Sequence, residues 1–326
     1  MTGQEVPDMT YRVLGRTGLS VSRVGLGAGG PSRLGVSKGG DSGNVERLVR
    51  LAVDLGINLI DTARAYGTED ALGHALSSVK EQMYVATKVR CYATPDVTDP
   101  HQDPIVDPGH ITTSVEESLR ALQRDTIDIL QLHAVTAPGL APTIEHLVPA
   151  MIKLREQGKV RFLGITEHPG IDPHQEMATR ACESGVFDTL MLQYSIFDQQ
   201  AERGTFAAAR EQDVGLFCMC AARGACTSPA ALRQVLALCA PDDDASLDFL
   251  LEGEVASYAD AAFRFAAAHD DLDCVLVGTG EPDHLLESAA AILGEPLPAA
   301  HVEALKRRFG HLDGALLWPD YAPPNG

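Results

Sequence analysis

After two short apolar runs near its start, the chain repeats one pattern eight times: an apolar run, a loop, then a stretch with helical spacing of apolar residues. The runs are Arg23 to Leu26, Asn58 to Ile60, Met83 to Thr87, Ile127 to Leu132, Arg161 to Thr166, Thr189 to Gln193, Val214 to Cys220 and Asp273 to Val277. Their length and β-branched content read as buried strands. Between them, sets such as Val45, Leu48, Val49, Ala52 and Val53, closed by Gly56, read as amphipathic helices. Strands separated by helices must run parallel, because each helix carries the chain back to the end where it started. Eight such units in 326 residues predict an α/β fold, a TIM (β/α)8 barrel with an N-terminal β-hairpin over Tyr11 to Ser22, as one domain over 1–326.

A rival reading comes from Gly25-Leu26-Gly27-Ala28-Gly29-Gly30, which satisfies the letters of the dinucleotide-binding glycine motif. That motif must open directly into a helix, whereas Pro31, Gly35, Gly39, Gly40 and Gly43 delay any helix until about Val45. Three segments depart from the alternation: the Pro- and Asp-rich stretch 91–110, the insertion 223–257, and the tail 309–326 with Trp318 and Tyr321. Long connections of this kind in compact domains are often functional, so all three are assigned to the active-site side of the barrel.

Composition narrows the function classes. A net charge of −19, from 26 basic and 45 acidic residues, argues against nucleic acid and anionic membranes as partners. No run of about 20 apolar residues offers a membrane span. Met1 to Thr10 lacks the basic head and apolar run of a signal peptide, so a cytoplasmic location is expected. The seven cysteines show no paired spacing and read as reduced thiols. Neither Cys218-Met219-Cys220 nor the acidic run Asp242-Asp243-Asp244 has the spacing of a metal site.

Chemistry concentrates after three consecutive strands. Asp61 ends the second, with Tyr66 on the loop beyond it; Lys88 follows the third and His133 the fourth. These separations match βαβ steps of about 30 residues, the later one lengthened by the 91–110 stretch, so the residues should converge on one rim. A phenol with a pKa of about 10 is a weak acid. A neighbouring ammonium favours phenolate, a carboxylate keeps that ammonium charged, and a histidine can donate to a carbonyl oxygen. The set suits proton transfer at an oxygen on carbon while a hydride moves at that carbon.

At these residues the chain resembles the aldo-keto reductase family. Leu14-Gly15-Arg16-Thr17-Gly18-Leu19-Ser20-Val21-Ser22 is similar to its opening hairpin, and Asp61-Thr62-Ala63-Arg64-Ala65-Tyr66-Gly67 to its signature. The strand with Lys88, the segment Asp128 to His133, and Gly158 to Ile165 also fit. The resemblance implies Tyr66 as general acid/base, Asp61 and Lys88 tuning it, His133 orienting a carbonyl, and a nicotinamide cofactor extended over the barrel mouth.

It also implies the cofactor contacts. Thr166 and Glu167 stand where the family has Ser-Asn, and Glu167 is expected only to accept where an amide also donates. Gln193 agrees with the family, and Met219 or Cys220 replaces the aromatic residue that stacks on the nicotinamide. Gly278, Thr279, Gly280, Glu281, His284, Glu287 and Ser288 correspond to the segment gripping the adenosine phosphate, and Arg223 is a candidate for the pyrophosphate. Without Lys or Arg between Gly278 and Ser288, and with Glu281 placed to repel a 2′-phosphate, NAD(H) is expected over NADP(H). The expected activity is interconversion of an aldehyde, ketone or aldose with its alcohol or lactone. An NAD-dependent sugar dehydrogenase working oxidatively, and a cofactor-binding regulatory barrel, are the alternatives.

Overall fold

The computed structural model describes residues 6–39, 42–77, 79, 83–93, 105–239, 246–312 and 317. β1 (Tyr11–Val13) and β2 (Ser20–Ser22) pair antiparallel in the expected hairpin. The chain then runs through β3 (Val24–Gly27), α1 (Ser42–Asp54), β4 (Leu59–Asp61), α2 (Glu69–Leu76), β5 (Tyr84–Arg90), α3 (Pro108–Leu122) and β6 (Ile127–His133). Next come α4 (Leu140–His146), α5 (Val148–Glu156), β7 (Val160–Thr166), α6 (Glu176–Glu183), β8 (Thr189–Gln193), α7 (Thr205–Gln212) and β9 (Gly215–Met219). The order closes with α8 (Pro229–Cys239), α9 (Tyr258–Ala267), β10 (Cys274–Val277), α10 (Pro282–Leu293) and α11 (Ala299–Phe309). Strands β3 to β10 are parallel and β10 pairs back onto β3, so the sheet is a closed eight-stranded barrel. The glycine-rich loop after β3 leads into a short 3-10 segment, Arg33–Lys38, and the closed sheet excludes the open sheet that the dinucleotide-binding glycine motif would require.

Strand alternation sorts the side chains into two cores. Outward residues such as Ile60, Val85, Leu130 and Val275 pack against the helices. Inward residues Leu59, Ala86, Ile129, Met191, Phe217, Cys274 and Leu276 fill the barrel. The hairpin joins this second core: Leu14, Leu19 and Val21 are buried against it and plug the N-terminal end. Gly15 allows the plug to seat, because a Cβ there would lie 2.3 Å from the Gly215 nitrogen and its φ is +42°. With its floor sealed, the barrel opens at the C-terminal ends of the strands.

Four elements differ from the sequence reading. β5 continues two residues beyond Lys88, so that lysine lies inside the strand rather than at its end. α3 starts at Pro108, within the stretch read as loop, capped by Asp107 accepting from the Gly109 amide. The single helix expected between the fourth and fifth strands is two helices, α4 and α5, meeting at Leu147, with Pro149 in the first turn of α5 where it has no amide to donate. α11 precedes the tail and docks through buried Leu305 and Phe309, the latter ring 4.7 Å from Phe197. Trp318, Tyr321 and Asp242 to Asp244 lie outside the described residues.

Gly15→Ala is expected to destabilise the fold by about 2–3 kcal/mol through clash and left-handed backbone. Denaturant unfolding checks this, with Gly18→Ala as the comparison, since a Cβ at Gly18 meets nothing within 4 Å.

Candidate active site

Inward alternation places the chemistry above the interior core. On β4 the inward positions are Leu59 and Asp61; on β5 they are Tyr84, Ala86, Lys88 and Arg90; on β6 they are Ile129, Gln131 and His133. Lys88 Nζ lies 2.5 Å from Asp61 Oδ2 and 2.9 Å from the Thr62 carbonyl oxygen, while Gln131 Nε2 donates to Asp61 Oδ1 at 3.0 Å. Lys88 is only 2% exposed.

Tyr66 ends the 3-10 turn Arg64–Tyr66 and hangs over this pair, with Lys88 Nζ 5.0 Å from its ring centroid. The His133 ring meets it edge-on at 5.7 Å. Space for the phenol is made by Gly29, where a Cβ would come within 2.6 Å of the ring. The turn is anchored by Arg64, which contacts Glu69 at 3.6 Å and Glu117 at 3.4 Å. The four residues singled out by the sequence therefore meet at one mouth.

Their electrostatics differ from the simple expectation in one respect. Burial raises the Tyr66 hydroxyl above the ordinary tyrosine value; the Lys88 charge pulls it back, without reversing the shift, and Asp61 adds to it. Tyr66 is thus a protonated phenol near neutrality, not a ready phenolate, because the cost of burying a charge exceeds the help of one ammonium. Burial alone would lower Lys88, but the Asp61 carboxylate and Tyr66 outweigh it and hold the ammonium above the usual lysine value. Burial likewise pushes the Asp61 carboxyl up against the pull of Lys88. Burial, with Lys88, His168 and Arg90 nearby, lowers His133 to about 3, so its imidazole is neutral across the physiological range.

The proposed cofactor positions form one side of the same mouth. Thr166 ends β7, and its hydroxyl accepts from the Ala134 amide at 2.8 Å. Glu167, 2% exposed, accepts the Gln193 backbone amide on Oε1, while Oε2 is buried without a hydrogen-bond partner. Burial and the nearby Asp198 raise its pKa well above the glutamate value. That shift favours the protonated form of Glu167, and a protonated carboxyl carries a hydroxyl donor beside its carbonyl oxygen, where the carboxylate can only accept. Gln193 is fully buried, with its side-chain amide donating to Asp198 Oδ2 at 2.8 Å.

Met219 and Cys220 are both half-buried at the end of β9. Cys220 has φ +64°, lies near enough to Tyr66 to influence its charge, and has its thiol 4.0 Å from Arg223. Ala134, following His133, also has positive φ, so backbone strain is stored at two strand ends bordering the site. After β10, Gly278 is exposed while Thr279 and Gly280 are buried. Thr279 Oγ1 accepts from the Glu281 amide at 3.0 Å, and Asn44 Nδ2 donates to the Gly280 carbonyl at 2.8 Å. Gly280 approaches Gly35 so closely that a Cβ would lie 2.6 Å from the Gly35 nitrogen. Glu281, His284 and Glu287 are exposed and Ser288 is half-buried around the start of α10. Among the described residues no group of three or more His, Cys, Asp or Glu side chains could hold a metal ion, and no helix is long and apolar enough to cross a membrane. The seven cysteines carry no disulfide.

A closed parallel barrel whose mouth holds a tyrosine, a lysine–aspartate pair and a histidine defines one class of protein. The Aldo/keto reductase family model matches residues 23–307, and the chain belongs to this family. Among solved structures, the holo form of aldo-keto reductase AKR11C1 from Bacillus halodurans is similar with a TM-score of 0.68 and 26% identity, over 91% of this chain and 96% of that one. L-galactose dehydrogenase of Arabidopsis thaliana is 37% identical over 165 residues, 48% of each chain. Aldo-keto reductase YhdN of Bacillus subtilis is 30% identical over 213 residues, 63% of this chain and 60% of the relative. The matches thus span about half of the plant relative's length and three fifths of the bacterial one's. Members of the family use nicotinamide cofactors.

Glu167→Gln provides a test of the upward shift at Glu167. A raised folded-state pKa gives stability that is full below the unfolded value of about 4.3 and falls as pH rises through the folded value. The stability of the wild type relative to Glu167→Gln is expected to decline from about pH 4.5 upward, by up to about 1.4 kcal/mol per pH unit until Glu167 ionises. Paired thermal melts between pH 5 and 8 measure it.

Proposed function

We propose that the protein is an NAD(P)-dependent oxidoreductase that interconverts a carbonyl compound, an aldehyde, ketone or aldose, with its alcohol or lactone. The observation that carries this reading is the Lys88–Asp61 pair buried directly beneath Tyr66, with neutral His133 edge-on to the same phenol. The groups at the rim fit a nicotinamide cofactor. Thr166, Glu167 and Gln193 present hydrogen-bonding groups together at the ends of β7 and β8, and Glu167 Oε2 is a buried polar atom with no hydrogen-bond partner. Such a cofactor, when bound, supplies or accepts the hydride.

In the reductive direction a protonated Tyr66 gives its proton to the carbonyl oxygen as negative charge develops there. The phenolate left behind is formed beside the Lys88 ammonium, which stabilises it, and Asp61 keeps that ammonium charged and aimed. Neutral His133 can donate an N–H to the same oxygen and fix the face of the substrate. Oxidation runs the same proton path backwards, Tyr66 acting as base. Gln131 and the Thr62 carbonyl keep the pair in register through both directions.

NAD(H) is the proposed preference. From Gly278 to Ser288 there is neither Lys nor Arg, and the exposed Glu281 carboxylate precedes α10, where it would repel a 2′-phosphate or accept ribose hydroxyls. The opposing regulatory reading lacks a comparable observation, since the proton-transfer set is complete. We also propose that 1–326 acts as one barrel domain with a small-molecule substrate, and that 91–110, 223–257 and 309–326 shape substrate access.

Tyr66→Phe is expected to lower kcat by about 10²–10⁴-fold while leaving cofactor affinity nearly unchanged. Steady-state reduction of an aldehyde and aldose panel, beside cofactor titration by fluorescence, checks it; tight cofactor binding with no turnover by the wild type overturns the enzyme reading. Glu281→Arg is expected to shift the ratio of NADH to NADPH affinities towards NADPH by on the order of tenfold, since one recovered ion pair is worth about 1–2 kcal/mol.

A further inference from the structure

One inward position on β5 has no role in the proton-transfer set. Arg90 is the last residue of the strand, two beyond Lys88 and on the same face, so its side chain starts from the rim directly above the lysine. In the barrel register its Cα partner is His133. Its charge is one of those that act on the His133 imidazole, so the guanidinium lies within electrostatic reach of the mouth. Lys88 below is sealed, but Arg90 is exposed.

The charge at Arg90 stands against the balance of the chain. Acidic residues outnumber basic ones 45 to 26, and several arginines are ion-paired, as in Arg64 with Glu69, Arg161 with Asp128 and Arg264 with Asp260. Arg90 has no carboxylate partner among the described residues. The carboxylates nearest the reacting centre are committed: Asp61 to Lys88 and Gln131, and Glu167 is buried against Gln193. His133 thus has beside it in the register a cation that no described carboxylate pairs with, on a strongly negative protein, an arrangement that draws a small anion into a cleft. A guanidinium binds carboxylate or phosphate through two parallel hydrogen bonds, giving orientation as well as attraction.

We propose that Arg90 is a specificity-determining residue that binds an anionic group, carboxylate or phosphate, carried by the carbonyl substrate while its carbonyl lies between Tyr66 and His133. The proposal rests on the reading of Tyr66 and His133 as the reacting centre, and it names the substrate class as charged carbonyl compounds. Matched pairs test it: butanal against 4-oxobutanoate for a carboxylate, and glyceraldehyde against glyceraldehyde 3-phosphate for a phosphate. In the wild type the anionic member of at least one pair is expected to have the higher kcat/KM by on the order of tenfold, expressed mainly in KM. The pair that shows it identifies the anion. Arg90→Met should bring that ratio towards one, and Arg90→Lys should restore part of it, charge being kept without the fork.

Equal kcat/KM within both pairs overturns the proposal. So does an Arg90→Met variant that weakens cofactor binding while keeping the ratio, which would place Arg90 on the cofactor. Turnover of the neutral members that is lost in Tyr66→Phe leaves the oxidoreductase reading standing in either case. Calorimetric binding of 4-hydroxybutanoate and glycerol 3-phosphate decides the matter without turnover: a wild type that binds both no more tightly than Arg90→Met overturns the proposal.

Discussion

Everything at the mouth of this barrel depends on one ion pair sealed inside it. Taking an ammonium and a carboxylate out of water costs several kcal/mol per ion, and their attraction offsets this only when geometry and further hydrogen bonds are good. Here they are: Lys88 also donates to the Thr62 carbonyl, and Asp61 also accepts from Gln131. Removing either partner would strand a buried charge, so the pair behaves as a unit. That unit sets the charge environment of Tyr66 and His133, which have no ionised partner of their own as close.

The barrel makes this pair affordable by dividing labour along each strand. Lower inward positions on β4, β5 and β6 carry Leu59, Ala86 and Ile129, which exclude water from beneath. The next inward positions carry Asp61, Lys88 and Gln131, and the uppermost carry Arg90 and His133. An apolar layer, a fixed-charge layer and a solvent-facing layer are thus stacked by the two-residue period of a strand. Tyr66 enters from the side on a short turn, its ring against Gly29 and its turn tethered by Arg64 to Glu69 and Glu117.

Much of this was legible in the residues. The eight strands, the hairpin and the convergence of Asp61, Tyr66, Lys88 and His133 follow from apolar period and βα spacing, which are local properties. What escaped depends on tertiary context. The length of β5 past Lys88 follows from pairing with β6, and the break between α4 and α5 needed attention to Pro149. α11 had a signal in Val302, Leu305 and Phe309, but its identity as a docked helix depends on Phe197. The net directions of the Tyr66 and Glu167 shifts are sums of burial and neighbouring charge, neither of which a linear sequence displays. Arg90 escaped for a related reason, since its interest lies in its place beside His133 at the rim, which strand register sets.

The hairpin stopper bears on where water can reach the ion pair. Leu14, Leu19 and Val21 close the floor beneath an interior already filled by Leu59, Ala86, Ile129 and Phe217. Lys88 and Asp61 are therefore kept dry from below by residues that belong to neither the mouth nor its loops. Loosening that wedge would wet the pair from the far end and weaken the field at the phenol without altering one residue of the rim.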